Sequence, residues 1–417
     1  MIDTVFQDKL TSDSGLADRV RSHGEFFTQV WRECANQQPV FGKPVSFWIK
    51  KRREHHLKNF IKQSKVLSRD RDRFLSHPEL QEQIFIQIQH FLAEAVGISA
   101  RHLDLLMSAE FKNSTKEFIS MAREFDASLA PADLFQACRN VWIMNGLQLL
   151  LGLKVRFTPA ICAYSLLYPF TDNYLDDRAV PALDKESFNR RFMLRLQGER
   201  VQPINNHEKS IFALVEIIEM QFDRALYPQV FDSLVAIQQA QAKSVSLIHP
   251  GHSLPPEDIL AISLEKGGTS VVADGYLVAG DLTADQEQFL YGYGAYLQFL
   301  DDLQDVAEDT ARGQKTIYSS CPESVLLDKL IEQTFSFGEQ VMSIFPPMRS
   351  TSADAYLDII EMCVRLMLIE ALCFASDRFS PRFVKQVEKF SPFRFKIMRK
   401  VKKKHEPYYM AMLGKTA

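Results

Sequence analysis

The pattern of apolar positions changes about a third of the way along the chain. From about residue 130 onward, apolar residues recur every three or four positions, as in Leu357, Ile360, Val364 and Met367, which is the spacing of one buried helix face. This periodicity predicts helices over about residues 132–152, 157–178, 184–197, 207–225, 228–248, 256–280, 284–311, 324–344 and 353–377. No series of alternating strands is present, so the pattern predicts an all-α domain.

Proline and glycine punctuate these segments. The breaks fall at Pro181, Pro203, Pro228, Pro250, Pro255-Pro256, Gly313 and Pro346-Pro347. Asn145-Gly146 is the one strong hairpin dipeptide, but its flanks are rich in Leu and Met rather than in β-branched residues. We therefore expect this dipeptide to interrupt a helix rather than to join two strands.

The two ends of the chain differ from its centre. The first 120 or so residues are more polar and read as amphipathic helices, with a basic stretch from Trp48 to Arg53. The C-terminal segment is also basic, and both runs are expected to be solvated surfaces. For the C-terminal run, a flap over an anionic ligand or a weak contact with anionic lipid are alternatives. The predicted organisation is an N-terminal helical extension (1–125), a helical domain (126–385) and a basic tail (386–417).

Composition narrows the functional class. The chain has 417 residues, 46% of them apolar, and a net charge of -3, which excludes a disordered chain and gives no general attraction to nucleic acid. None of the six cysteines forms a CxxC pair, so we expect buried free thiols in a reducing compartment. With neither a secretory signal nor an uncharged apolar run of about 20 residues, the sequence predicts a soluble, cytoplasmic protein.

Two acidic clusters carry the candidate chemistry. In the first, Asp172 and Asp176 are four residues apart and share one face at the end of an apolar helix. In the second, Asp301, Asp305 and Asp309 repeat every four residues at the end of another. Stacked carboxylates repel one another unless a cation compensates them, and hard oxygen ligands of this kind suit Mg²⁺ completed by phosphate oxygens. The alternative is that both clusters are ordinary solvated helix ends.

The two clusters resemble the aspartate-rich motifs of the class I isoprenoid synthases. The first, Asp172-Asn173-Tyr174-Leu175-Asp176, is similar to DDxxD with Asn at the second position. The second, Leu297-Gln298-Phe299-Leu300-Asp301-Asp302-Leu303-Gln304-Asp305, is similar to FQxxDDxxD of the trans-prenyltransferases, and Asp301, Asp305 and Asp309 also fit the spacing of the cyclases' second metal motif. The resemblance covers roughly residues 130–380 and implies a helical bundle around an apolar cavity, with a homodimer as a further family expectation.

Other segments extend the resemblance. Arg312-Gly313-Gln314-Lys315-Thr316 resembles the family's Gly-Lys turn, and Lys266-Gly267-Gly268-Thr269-Ser270 resembles the Lys-Thr element of a helix break beside the diphosphate. Gln241 is a weaker match to a Gln on the preceding helix. These matches imply that the substrate is bound by Lys266, Gln298, Asp302, Lys315, Arg178, Gln241, Thr269, Tyr168 and Tyr164, with Phe170 and Tyr291 as further candidates for the cavity wall.

Departures from the family pattern favour one reaction type. Chain-elongating members have an Arg-Arg pair soon after the first motif, where this chain has Pro181-Ala182, and Gly152 to Arg156 lies too near the motif to replace their Gly-Lys-Arg element. A second diphosphate needs dedicated cations. The resemblance thus implies a terpene synthase of the large bacterial type (class IB) that ionises one linear C15–C25 prenyl diphosphate.

The implied catalytic and metal ligands are Asp172, Asp176, Asp301 and Asp305, with Asp309 as a further metal ligand. The resemblance implies that they hold Mg²⁺, as three ions with the diphosphate. The alternatives are a trans-prenyl diphosphate synthase, a head-to-head prenyltransferase, and a non-catalytic protein that binds prenyl diphosphate or a partner. The sequence leaves the substrate chain length and the product skeleton open.

Overall fold

The protein is described by a computed structural model that covers residues 15–68, 78–176, 179–248, 254–321, 323–346 and 350–412. Within these ranges the side chains of residues 64–68, 78–81, 84, 168, 172–173, 176 and 405–412 are not described. All regular secondary structure in the covered ranges is helical, with no β-strand. The expectation of an all-α fold is therefore confirmed.

The helices of the N-terminal half follow one another with short connections. They are α1 (Leu16–Cys34), α2 (Phe47–Ser68), α3 (Pro78–Phe91) with a π-turn (Leu92–Val96), α4 (Ala100–Leu106), α5 (Ala109–Phe125), α6 (Pro131–Leu150), α7 (Pro159–Asp176) and α8 (Ala182–Leu196). Pro131 and Pro159 stand at the first positions of α6 and α7, where the missing N–H of proline costs no helical hydrogen bond.

The C-terminal half is built in the same way. It contains α9 (Asn206–Gln221), α10 (Pro228–Ser244) with a 3₁₀ turn (Val245–Ile248), α11 (Pro256–Ala279), α12 (Ala284–Gln304), α13 (Val306–Arg312), α14 (Ser324–Ser343), α15 (Thr351–Phe374), a 3₁₀ turn (Ser376–Arg378), α16 (Pro381–Val387), a 3₁₀ turn (Glu388–Phe390) and α17 (Phe395–Met412). Thr283 and Gln286 form a capping box that starts α12.

Helices α11 and α12 form the centre of the bundle. Their backbones touch at Gly267 and Gly294, since a methyl group on Gly294 would lie 2.1 Å from the carbonyl oxygen of Gly267. Helix α10 packs beside α11, α14 and α15 pack beside α12, and α6 and α7 complete the core. The close glycine contact fixes the axial position of α12 relative to α11, and with it the position of the acidic residues at the end of α12.

The first helix is part of this core. Phe27 stacks on Tyr291 of α12 with ring centroids 5.8 Å apart, and Trp31 packs against Phe299 at 4.7 Å. A methyl group at Gly292 would lie 2.3 Å from the Phe27 ring, so this glycine makes room for α1. Helix α1 therefore covers one side of α11 and α12 with large buried aromatic rings.

Asn145-Gly146 does not interrupt a helix. Helix α6 runs unbroken from Pro131 to Leu150, and both residues are buried within it. A side chain at Gly146 would meet the hydroxyl of Tyr356 on α15 at 1.8 Å. The prediction of an interruption was wrong because the glycine serves a contact between helices rather than a turn.

Two further expectations concern membrane-spanning helices and the cysteine thiols. No helix within the described ranges combines the length and apolarity that crossing a membrane requires. All six cysteines are free, and four of them, Cys34, Cys138, Cys162 and Cys373, are buried. Burial raises the pKa of the Cys138 and Cys162 thiols to about 12, so both are unreactive at neutral pH.

Candidate functional site

The second acidic segment, residues 301–309, spans a bend. Helix α12 ends at Gln304, Asp305 has non-helical backbone angles, and α13 starts at Val306. The N–H of Asp305 still donates to the carbonyl oxygen of Asp301 (3.0 Å), and that of Asp309 to the carbonyl oxygen of Asp305 (2.8 Å). The predicted continuous helix is thus divided in two, but the spacing of one turn between successive aspartates is preserved.

The three aspartates differ in environment. Asp301 and Asp305 are exposed, whereas Asp309 is buried. Burial, followed by the charges of Asp302, Asp305, Asp301 and Glu308, raises the pKa of Asp309 to about 7. The segment therefore concentrates negative charge at a place where one carboxylate is shielded from water, and a cation would relieve the repulsion.

Asp302 faces the interior instead. Its Oδ1 accepts a hydrogen bond from Nε2 of Gln298 (2.8 Å), and its Oδ2 accepts one from the Ser263 hydroxyl of α11 (3.3 Å). Burial raises its pKa to about 7 despite these bonds and the nearby positive charge of Lys266. Asp302 is therefore held by Gln298 within α12 and by Ser263 of α11. It links the two helices beside the exposed acids and is not itself exposed with them.

The predicted helix break at Lys266 is absent. Helix α11 is continuous from Pro256 to Ala279, and the Thr269 hydroxyl donates to the carbonyl oxygen of Glu265 within its own helix (2.7 Å). Gly267 and Gly268 instead accommodate Gly294 and the Tyr291 ring of α12. The glycines that suggested a break are required by the close packing of two uninterrupted helices.

The Gly-Lys turn connects the acidic segment to α10. Gly313 ends α13 with a left-handed backbone (φ 75°), and the N–H of Gln314 then donates to the carbonyl oxygen of Asp309 (2.9 Å). The N–H of Lys315 donates to the carbonyl oxygen of Leu247 (2.9 Å) in the 3₁₀ turn that follows α10. These two backbone bonds place the end of α10 beside the second acidic segment.

A small pocket connects the end of α10 to α7. It has a volume of about 50 Å³, and its lining includes Tyr164, Leu167 and Thr171 from α7 and Gln241 from α10, with α8 closing a third side. Thr171 immediately precedes Asp172 in the chain. The pocket is small beside ligand sites of about 300–1,000 Å³, so a prenyl chain requires side chains to move apart.

These contacts bring the ends of several helices together. The last turns of α7, α10 and α12 and the first half of α11 lie at one end of the bundle, because Thr171 shares a pocket with Gln241, Leu247 bonds Lys315, and Ser263 bonds Asp302. The predictions for Asp172 and Asp176 depend on side chains outside the described set, as does that for Tyr168, and Arg178 lies outside the described residues altogether.

Two aromatic residues expected in the cavity wall lie elsewhere. Phe170 packs against Phe125 of α5, with ring centroids 6.1 Å apart. Tyr291 is buried between Phe27 and Gly268, on the side of α12 that α1 covers. Tyr164 lines the pocket. The helical spacing of these residues gave no indication of which side each one faced.

The donor set suits magnesium only in part. Among the side chains that the structure describes, no group of three or more His, Cys, Asp or Glu residues is arranged to hold a metal ion. Mg²⁺ commonly uses one or two carboxylates and completes its shell with waters and phosphate oxygens. Asp301 and Asp305 are exposed and one turn apart, so they match such a pair of carboxylates in residue type and accessibility.

Comparison with known proteins does not assign a family: no family model matches the chain, and no curated protein and no solved structure is significantly similar to it. The structure adds Ser263 and Leu247 to the surroundings of the acidic segment. Neither could be identified from the sequence, because Ser263 acts through its hydroxyl across a helix interface and Leu247 through a backbone carbonyl.

Proposed function

We propose that the protein is a Mg²⁺-dependent terpene synthase that ionises a linear prenyl diphosphate of C15–C25 and releases a terpene and diphosphate. One observation carries the proposal: the C-terminal ends of α7, α10 and α12 converge at one end of an all-helical bundle, and each brings polar residues there. A purely structural role leaves the concentration of negative charge around Asp309 unexplained.

In this proposal Mg²⁺ supplies the positive charge that stabilises the departing diphosphate. Asp301 at the end of α12 and Asp305 just after it would hold the metal on one side, and Asp172 and Asp176 of the first acidic segment would hold it on the other. Lys315 and Lys266, together with Arg178, bind diphosphate oxygens by charge-assisted hydrogen bonds. Gln298 and Ser263 hold Asp302, which keeps the last turn of α12 in place.

The pocket beside Tyr164 is proposed as the start of the hydrocarbon cavity. Its lining is mostly apolar, and Gln241 and Thr171 stand at the end nearest to the acidic segments. Aromatic rings stabilise a desolvated cation by about 2 kcal/mol or more, which Tyr164 is positioned to provide. The cavity also excludes water from the cation, and enlarging it requires α8 to move away from α7 and α10.

The test is turnover. We expect purified protein with Mg²⁺ to convert one member of a C10–C25 prenyl diphosphate panel to a hexane-soluble product without isopentenyl diphosphate. A longer diphosphate that forms only with isopentenyl diphosphate would overturn the proposal in favour of chain elongation, and a coupled C30-type dimer would indicate head-to-head transfer. Inertness with every substrate would contradict an enzymatic role.

A matched pair of variants links the activity to the acidic segment. Asp301→Asn is expected to reduce turnover about a hundredfold or more, since a metal ligand contributes several kcal/mol and each 1.36 kcal/mol is tenfold. Asp285→Asn removes an equally exposed aspartate from the opposite end of α12 and should leave turnover unchanged. Equal activity of the two variants would show that the metal assignment is wrong.

A further inference from the structure

The strongest feature outside the acidic site is a surface that combines exposed aromatic and basic residues at the start of α2. Phe47, Trp48 and Ile49 are all exposed, with Trp48 reaching 79%. Such a group of large apolar side chains at the first turn of a helix is unusual for a free surface. An exposed group of this kind is typical of a surface that contacts a partner able to accept apolar side chains.

The exposed face of α2 is otherwise basic. Lys51, Arg52, Lys58 and Lys62 are exposed, whereas Glu54, the one acid between residues 47 and 63, is buried. Glu54 is paired with Arg394 at the start of α17, through Oε1 to Nε at 2.7 Å and Oε2 to Nη2 at 2.6 Å. The single negative charge of this segment is therefore neutralised inside the protein.

The same contact joins α2 to a second basic segment. Between residues 381 and 404 there are ten lysines and arginines and one acid, Glu388. The carbonyl oxygen of Glu388 accepts a hydrogen bond from Nζ of Lys50, and its carboxylate accepts the N–H of Phe395 (2.8 Å). The exposed cations of this segment are Arg382, Lys385, Lys389, Lys396, Arg399, Lys400, Lys402, Lys403 and Lys404.

The aromatic residues lie at the junction of the two segments. The Phe47 ring is flanked by two cations, with Lys51 Nζ 5.6 Å and the Arg394 guanidinium 5.4 Å from its centroid. Trp48 packs edge-on against Phe47 at 5.5 Å. The exposed apolar tip therefore lies where the basic α2 meets the start of the basic α17, in a chain whose net charge is -3.

We propose that this basic-aromatic surface, formed by Phe47 to Ile49 and the exposed cations of α2, α16 and α17, docks the protein on an anionic lipid bilayer. Trp side chains prefer the boundary between headgroups and acyl chains, and basic residues are attracted to anionic headgroups. Ile49 adds apolar area that a bilayer accepts but that nucleic-acid bases cannot stack upon. The proposal is independent of the catalytic activity, because none of these residues belongs to the acidic site.

The test is co-sedimentation of the full chain with phosphatidylcholine vesicles that contain or lack phosphatidylserine. We expect binding only to the anionic vesicles, with release at about 1 M salt, where the Debye length falls to about 3 Å. Trp48 fluorescence should shift to the blue on binding, because Trp31 is already buried and only Trp142 is otherwise partly exposed. Binding to both vesicle types, or to neither, would overturn the proposal.

Variants separate the two components. Lys400→Glu with Lys403→Glu should weaken vesicle binding about 25-fold or more, since each basic residue near the bilayer contributes about fivefold. Arg200→Glu with Lys209→Glu changes the same charge on two exposed residues outside this surface and serves as the control, with an effect confined to net charge. Equal loss in both pairs would reduce the interaction to general electrostatics and contradict a defined docking surface.

Trp48→Ala should weaken binding roughly tenfold, because the bilayer no longer buries a large apolar side chain. Leu226→Ala is the matched control and should have no effect, since Leu226 is 76% exposed and Trp48 is 79% exposed. Circular dichroism checks that each variant is folded. Binding of all basic-surface variants to anionic vesicles at wild-type affinity, or preference of the protein for RNA over vesicles, would refute the assignment to lipid.

Discussion

The two ends of the segment formed by α12 and α13 differ in the environment of their buried acidic side chains. Near its start, Glu287 accepts hydrogen bonds from Arg19 (2.9 Å) and His23 (2.9 Å) of α1 and from the Tyr276 hydroxyl. Burial by itself raises the pKa of Glu287, but these hydrogen bonds outweigh it and lower the pKa to about 2. At the other end, burial and neighbouring acids raise the pKa of Asp309 to about 7.

This difference in pKa distinguishes a carboxylate with a structural role from one that is a candidate for a functional role. A buried charge that is fully paired holds helices together, and removing one partner leaves the other stranded. A buried carboxylate surrounded by like charges weakens the fold when it is ionised, and groups of this kind are frequent at functional sites. The paired end of α12 anchors α1 to the bundle, and the acidic end is where we propose that metal and diphosphate bind.

The largest expected effect is at the paired end. Glu287→Gln should lower the free energy of unfolding by about 3–5 kcal/mol, because it removes the buried negative charge that Arg19 and His23 both bond. Urea denaturation measures the change. Asp18→Asn, which breaks an exposed ion pair with Arg21 on the same helix, should cost at most about 1 kcal/mol. Equal effects would show that the buried network is not the anchor.

The contact between α11 and α12 gives the next largest effect. Gly294→Ala should destabilise the protein by about 1–3 kcal/mol, because the added methyl group meets the backbone carbonyl of Gly267 at 2.1 Å and no side chain can give way. Thermal unfolding measures the loss. Gly15→Ala is the control: the added methyl group meets nothing within 4 Å, so only the cost of replacing an N-cap glycine is expected, below about 1 kcal/mol. An undiminished melting temperature for Gly294→Ala would contradict the close approach of the two backbones.

The acidic end should show itself in the pH dependence of stability. Because the folded state raises the pKa of Asp309 from its ordinary value to about 7, it binds the proton more tightly than the unfolded chain does. The contribution of Asp309 to stability should therefore fall as the pH rises from about 4 to 7 and level off above that, by about 1–2 kcal/mol after solvent relaxation.

Asp309→Asn should remove one part of this slope, because Asp302 and Asp274, whose pKa values burial raises to about 7 and about 8, contribute slopes of the same sign, whereas Asp285→Asn at the exposed start of α12 should leave it unchanged. Urea midpoints at pH 5 and pH 8 compare the two variants. A wild-type slope in Asp309→Asn would place the titrating group elsewhere, with Asp302 the next group to replace, since its pKa is also raised to about 7.

The sequence predicted the helices well because apolar spacing and prolines are local signals. The predicted segment 256–280 is observed as Pro256–Ala279, and 324–344 as Ser324–Ser343. The predictions that failed concern glycines that were expected to interrupt helices. Gly146 and Gly267 lie inside helices because Tyr356 and Gly294 approach them from other helices, and no local pattern encodes a contact with a residue so distant in the chain.

The sequence indicated only part of the arrangement around the candidate site. The spacing of Asp301, Asp305 and Asp309 indicated a shared face; backbone hydrogen bonds preserve the spacing of one turn across the bend at Asp305, but Asp309 is buried whereas Asp301 and Asp305 are exposed. It did not indicate that Asp302 turns inward to Ser263, or that α1 covers Tyr291, because both depend on which helix packs on which side. The domain boundaries at residues 125 and 385 remain predictions.

The most direct measurement counts metal ions. Mn²⁺ can replace Mg²⁺ and is quantified by paramagnetic resonance, in titrations with and without inorganic diphosphate. We predict that diphosphate greatly strengthens Mn²⁺ binding to the wild-type protein, and that Asp172→Asn and Asp301→Asn each weaken it, because the proposed site uses both acidic segments. If one of these variants binds Mn²⁺ and diphosphate as the wild type does, the two segments do not form a common site.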